Sequence, residues 1–244
     1  KKIGIENGKF ICIYARRGEY KRTVLSDKDW DFHNDYNNMD VDTYVPAITK
    51  LANQGNSVLR VGSHNSKKLS ASHPKIIDYS TNGLRTDFLD IYLPDKCFFF
   101  ASNGSGLDGV PSIFRKPTLY VNIIPLEYMN AESDKNLIIF KKIWMIGKKR
   151  FMTFQEILYS GVGRYLSTEQ YKKANLEIVH NTSEEIDDAM QEMFERLQGT
   201  WGMTAEDEDL QERFWAIFEP NDINRLFLAY IGTDFLKQNV ELLE

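Results

Sequence analysis

Cysteine is nearly absent: two residues in 244, Cys12 and Cys97, each inside an apolar run. That is too few for a disulfide framework, and neither has a thiol or histidine at metal-ligand spacing. Both read as small core residues. Histidine numbers four, with no His-x-x-x-His or His-Glu arrangement, so no metal site is expected. Excess positive charge is missing too: 30 basic against 35 acidic residues leave a net charge of −5. There is thus no global basic field of the kind that holds a protein on nucleic acid, and no nucleic-acid partner is expected. No apolar run reaches the ~18–20 residues that span a bilayer. Lys1-Lys2 is not followed by the apolar segment and cleavage site of a signal peptide, so a cytoplasmic protein is expected. The chain starts without methionine, which reads as a processed or truncated protein. A G-x-S-x-G elbow, internal repeats and low-complexity segments are also missing.

What is present is ordinary globular material, 42% hydrophobic and 27% charged, enough to bury a real core. Short apolar runs at 10–15, 57–62, 75–80, 97–102 and 118–123 read as strands, with helices expected near 43–54, 84–93 and 107–115. Near-continuous apolar strands alternating with helices predict βαβ units. The expected fold is therefore α/β: a Rossmann-like, doubly wound parallel sheet with right-handed crossovers and additional C-terminal helices. Residues 1–130 read as the nucleotide-binding core and 131–244 as an extension packing on the same domain. In that extension, 136–146 reads as one further strand and 176–181 as another. Helices are expected at 153–158, 182–197, 205–218 and 233–243. The 182–197 helix carries Ile186, Met190, Met193 and Leu197 as an apolar stripe, read as core.

Ligands of an open parallel sheet bind beyond the carboxyl ends of its strands. The stretch "KFICIYARRGEY" (9–20) brings Tyr14, Arg16, Arg17, Gly18 and Glu19 to that edge. The second strand brings Arg60 and His64, and the third brings Asp78. The fourth ends in "ASNGSGLDG", placing Asn103, Gly104, Ser105 and Gly106 in a small-residue turn before a helix. Such a turn exposes backbone N–H groups to an anion. Opposite an arginine pair, it could hold a diphosphate between amides and guanidinium groups. The two long polar loops, through 23–40 and 63–73, leave carboxyl ends of strands and contain His33, His64 and His73. "DVD" (40–42) reads as an N-cap. Lys141, Lys142, Lys148, Lys149 and Arg150 read as a solvated basic face, or one that holds an anionic acceptor or a membrane surface.

"YARRGEY" (14–20) is similar to the HxRRGDY motif of fucosyltransferase-like enzymes, with Tyr14 in the histidine position and Glu19 in the aspartate position. "YVPAITKL", "VLRVG" and "IIDYSTNGLRTDFLDIYLPDKCFFFASNGSGLDGVPSIFRKP" resemble their nucleotide-binding half. The order of these pieces, with "IVHNTSEEI" and "FLKQNVELL", resembles a family of glycosyltransferases from bacterial surface-polysaccharide loci. The resemblance spans most of residues 10–240. It implies a GT-B-type donor-binding domain, a nucleotide-sugar co-substrate, a glycan or lipid-linked glycan acceptor and no cofactor. It also implies an acceptor-binding, amino-terminal domain outside this chain, and work at the inner face of the membrane. By position, Arg16 would contact the donor β-phosphate, Asp78 would lie near the base, and Ser105 with Gly106 would meet the diphosphate. Glu19 is the candidate base by proximity.

Two other readings stay open. A sugar-nucleotide epimerase or hydrolase shares the geometry but needs an acid–base pair within this half. A non-catalytic nucleotide-sugar-binding module needs no base at all. The alternative for the arginine pair is structural, salt-bridging the acids of the 27–42 loop.

Overall fold

The computed structural model describes residue 5 and residues 10–17, 35–62, 67–220 and 222–244. Seven parallel strands form the central sheet: β1 (Phe10–Ile13), β2 (Ser57–Arg60), β3 (Ile76–Asp78), β4 (Phe100–Ser102), β5 (Thr118–Ile123), β6 (Leu137–Phe140) and β10 (Tyr230–Ile231). Their order, β3-β2-β1-β4-β5-β6-β10, reverses direction between β1 and β4. The expected α/β fold with a Rossmann-like parallel sheet is what the chain adopts.

Both faces of this sheet are apolar, because both are covered. Ile11 and Ile13 point to one face, against Ala47, Ile48 and Leu51 of α1 (Val45–Asn53). Phe10 and Cys12 point to the other, with Leu59, Phe100, and Leu93 of α2 (Asp87–Lys96). Cys12 and Cys97 are free and buried, as the composition implied. The short α3 (Gly109–Ile113) follows β4.

After β6 the chain departs from expectation. The run 136–146 is not one strand but two, in different sheets. β6 ends at Phe140, and β7 (Lys142–Met145) pairs antiparallel with β8 (Arg150–Phe151) and β9 (Leu176–Val179). The break falls on Lys141, whose side chain turns inward to bond two distant carbonyls. A reciprocal pair links the two sheets: Asn122 N–H donates to Asn181 Oδ1 at 2.6 Å, and Asn181 N–H donates to Asn122 Oδ1 at 2.7 Å.

The remaining helices are α4 (Phe154–Tyr159), α5 (Thr168–Lys173), α6 (Ser183–Gln198), α7 (Ala205–Trp215) and α8 (Thr233–Gln238). Thr182 and Glu185 close a capping box at the start of α6, and Gly199 ends it at φ 73°. Ile186, Met190 and Met193 are buried in the main core, the role their spacing implied, and α6 packs on α1 and α8. Glu192, on the same helix, is buried and holds the start of α8 by accepting from Thr233 N–H at 2.7 Å and Thr233 Oγ1 at 2.9 Å. Among the described residues, no helix is long and apolar enough to cross a membrane.

Candidate functional site at the strand-order reversal

Because the chain leaves β1 toward β2 and β4 toward β5, a crevice opens between their carboxyl ends, and two loops meet there. Arg16 N–H donates to Asn103 Oδ1 at 2.7 Å, across 87 residues of chain. Asn103 is fully buried, and its Nδ2 donates to the Asn37 carbonyl at 2.9 Å. With the Asn37 amide oriented so that donors meet acceptors, its oxygen accepts from Arg16 Nη1 at 2.9 Å and its nitrogen donates to the Asn103 carbonyl at 3.2 Å. Met39 N–H donates to the Arg16 carbonyl at 3.1 Å. The strap 35–39 is thereby laid across the end of β1. Among the described residues no carboxylate pairs with Arg16; Asp40 and Asp42 clamp Lys67 instead, at 2.5 and 2.6 Å. Asp40 also caps the following turn, as its position predicted.

The turn after β4 is built around a residue the sequence reading did not single out. Asp108 is buried and accepts from Ser102 Oγ at 2.5 Å and Ser105 N–H at 2.7 Å. Ser105 Oγ in turn accepts from Leu107 N–H at 3.2 Å. Ser105 and Asp108 therefore form a capping box whose S-x-x-D spacing was legible in the sequence. The Ser105 amide, assigned above to a diphosphate, is engaged by this internal carboxylate. The N–H groups of Gly104 and Gly106 have no partner among the described residues. Gly104 sits at φ 78°, where a side chain would be strained.

Burial raises the Asp108 carboxyl to about 6, partly offset by hydrogen bonds from Ser102 and Ser105. This value lies above that of an unfolded aspartate, so the protonated form favours folding. The contribution is complete below about pH 4 and is lost as pH rises through about 6. Asp108→Asn is expected to remove about 2–3 kcal/mol of this pH dependence. Urea unfolding at pH 4.5 and 7 measures it; parallel profiles for variant and wild type would contradict the assignment.

The other candidates fall into distinct places. Desolvation, then the Asp108 charge, raises the Tyr14 phenol. Arg17 is half-buried beside Arg16. Arg60 is 1% exposed and committed elsewhere, donating to Asp78 Oδ2 at 3.2 Å and to the Lys67 carbonyl at 2.6 Å. Asp78 also accepts from Leu69 N–H at 2.9 Å and Ser80 Oγ at 2.7 Å. Arg60 and Asp78 thus fasten a loop to the β2–β3 edge, bonded to each other rather than to the Arg16–Asn103 group. Gly18, Glu19, His33 and His64 lie outside the described residues.

The basic cluster is not one solvated face. Lys148 and Arg150 pair with Glu156 at 3.6 and 2.6 Å, and Lys142 pairs with Glu185 at 2.6 Å. Lys141 is 3% exposed at the carboxyl end of β6, donating to the Tyr36 carbonyl at 2.6 Å and the Asn38 carbonyl at 3.0 Å. Desolvation, then the Arg16 charge, lowers its ammonium to about 7. Its position inside the apolar run "LIIFKKIW" was the signal that one of these lysines faces inward.

A cavity of about 1220 Å³ lies at the opposite, amino-terminal edge of the sheet, lined by Ile11, Gln54, Asn56, Phe98 and Phe194. Its charged lining residue is Glu195, the wrong sign for a phosphate. No group of three or more metal-ligating side chains occurs among the described residues. Compared with known proteins, the chain matches no family model, no curated protein and no solved structure.

Proposed function

We propose that this chain is the donor-binding part of a glycosyltransferase that uses a nucleotide-sugar and acts on a surface-glycan hydroxyl. The carrying observation is the meeting, at the β1/β4 reversal, of Arg16 with the Asn103–Gly106 turn, with no carboxylate among the described residues on that guanidinium. Fold alone would not support an activity; the cation at the ligand-binding edge does. Displacement at the anomeric carbon leaves a nucleoside diphosphate with developing negative charge. A fixed guanidinium stabilises that charge, and the N–H groups of Gly104 and Gly106, without partners among the described residues, are candidate further donors. The resemblance of "YARRGEY" and "GSGLDGVPSIFRKP" to glycosyltransferases favours this reading over a hydrolase.

Calorimetric titration with GDP, UDP, CDP and ADP tests it. One diphosphate should bind at micromolar strength, and Arg16→Ala should weaken it by about 1.5–3 kcal/mol, the range of a charge-assisted contact. The Arg16–Asn103 bond uses the main-chain N–H and survives in the variant, so the loss reads on the guanidinium. Absence of binding by all four, or no change on Arg16→Ala, would overturn the proposal. Sugar transfer, as against binding alone, separates the enzyme from a non-catalytic module.

A further inference from the structure

We propose that the β1/β4 crevice binds its anionic ligand together with a proton, and that the proton is taken up by Lys141. This rests on the reading of the crevice as an anion site and adds which group couples that site to pH.

The geometry is specific. Lys141 Nζ is enclosed, and its hydrogen-bond partners are the Tyr36 and Asn38 carbonyls. These belong to the strap whose Asn37 accepts from Arg16 Nη1 and whose Met39 bonds the Arg16 carbonyl. Lys141 and Arg16 thus bond the same strap, Lys141 through the Tyr36 and Asn38 carbonyls and Arg16 through the Asn37 side chain between them. No carboxylate among the described residues pairs with either cation. Desolvation first, and then repulsion from the Arg16 charge, lowers the Lys141 ammonium to about 7, so the free protein holds this group close to its titration midpoint at neutral pH. A dianion on Arg16 reverses the balance, because it attracts the second charge through a low-dielectric layer. The neutral amine keeps two N–H donors, enough for both carbonyls, so the strap stays tied in either state.

The other titratable groups nearby do not titrate with it. His180, at the end of β9, is held down to about 4 by desolvation and by the Lys141 charge. The Tyr36 phenol is raised by desolvation.

The uncomplexed protein, labelled with 13C at lysine Cε, gives the Lys141 titration directly by NMR; the signal missing from Lys141→Arg assigns it. The probes are UDP-glucose and GDP-mannose, with sodium sulfate as a nucleotide-free dianion at matched ionic strength. All three keep a fixed charge across the range. Addition of a bound probe should move the Lys141 midpoint upward. Calorimetry in HEPES, imidazole and Tris at pH 7.5 should show fractional proton uptake. The dissociation constant should rise about three- to tenfold from pH 6.5 to 8.5 in the wild type and stay flat in Lys141→Arg, as linkage to one proton requires. Binding of any probe without movement of the Lys141 signal overturns the proposal and leaves the donor-site reading intact. Movement with sulfate, when neither nucleotide-sugar binds, supports it while counting against the nucleotide. A Lys141 signal that no probe moves overturns it as well.

Discussion

Asn103→Ala is expected to lower stability by about 2–4 kcal/mol, because it strips partners from the Arg16 N–H and the Asn37 carbonyl at once. Both are main-chain groups in the crevice wall, and water has poor access to a side chain that is itself fully buried. Binding should weaken about tenfold as well, since the strap that aligns the Arg16 guanidinium loses the Asn103 Nδ2 bond to its Asn37 carbonyl, one of its two ties to the β4 loop. Asn103→Asp separates the two effects. It keeps an acceptor for the Arg16 N–H, and when protonated it also restores a donor to the Asn37 carbonyl, so at acid pH it should be more stable than the alanine variant. It also sets a carboxylate beside the guanidinium, so it should bind a nucleoside diphosphate less well than the alanine variant. Urea unfolding and calorimetry on the pair give the two orderings. If affinity follows stability in both variants, the crevice is simply a fold element and its electrostatics are irrelevant.

Glu192→Ala is expected to cost about 3–5 kcal/mol, the penalty for stranding one member of a buried ion pair. Glu192 is 1% exposed, and besides Thr233 it accepts from Arg196 Nε at 2.8 Å. Arg196 also lies over the Tyr230 ring, 4.1 Å from its centroid, so the carboxylate joins α6 to both β10 and α8. For a domain of this size the melting temperature should drop by about 10 °C. Glu192→Gln should fall between, since it keeps an acceptor for Thr233 and loses the charge. A melt within about 2 °C of wild type for the alanine variant would show that α8 is held by its apolar contacts alone. Neither substitution touches the crevice, so diphosphate affinity measured well below the melt should not change.

Local pattern made much of the architecture readable. Strands β1, β2, β3, β4 and β5 fall within the runs 10–15, 57–62, 75–80, 97–102 and 118–123, because strands buried on both faces are apolar at every position. The helices expected at 153–158 and 182–197 are α4 and α6, each opened by a capping box, Thr153–Glu156 and Thr182–Glu185, whose interaction spans three residues and so is local in the sequence. β10 was not readable: two residues, Tyr230 and Ile231, give too short a pattern, and only pairing with β6 makes them a strand. The split of 136–146 into two sheets was hidden for a related reason. An apolar run of the right composition serves equally as one strand or two.

The sequence by itself determined that Arg16, the Asn103–Gly106 turn, Arg60 and Asp78 all belong at strand ends on one edge, because strand direction and βαβ connection carry them there. Tertiary structure alone decided their roles. Arg16 and Arg60 are alike in pattern, each at the end of an apolar strand, yet Arg60 meets Asp78 and Arg16 meets Asn103 and Asn37. Lys141 and Lys142 are neighbours, yet one is enclosed beside a cation and the other is matched with Glu185. A charge's role follows from which partners reach it and how much water remains. For Lys141 those partners stand more than a hundred residues away in the chain.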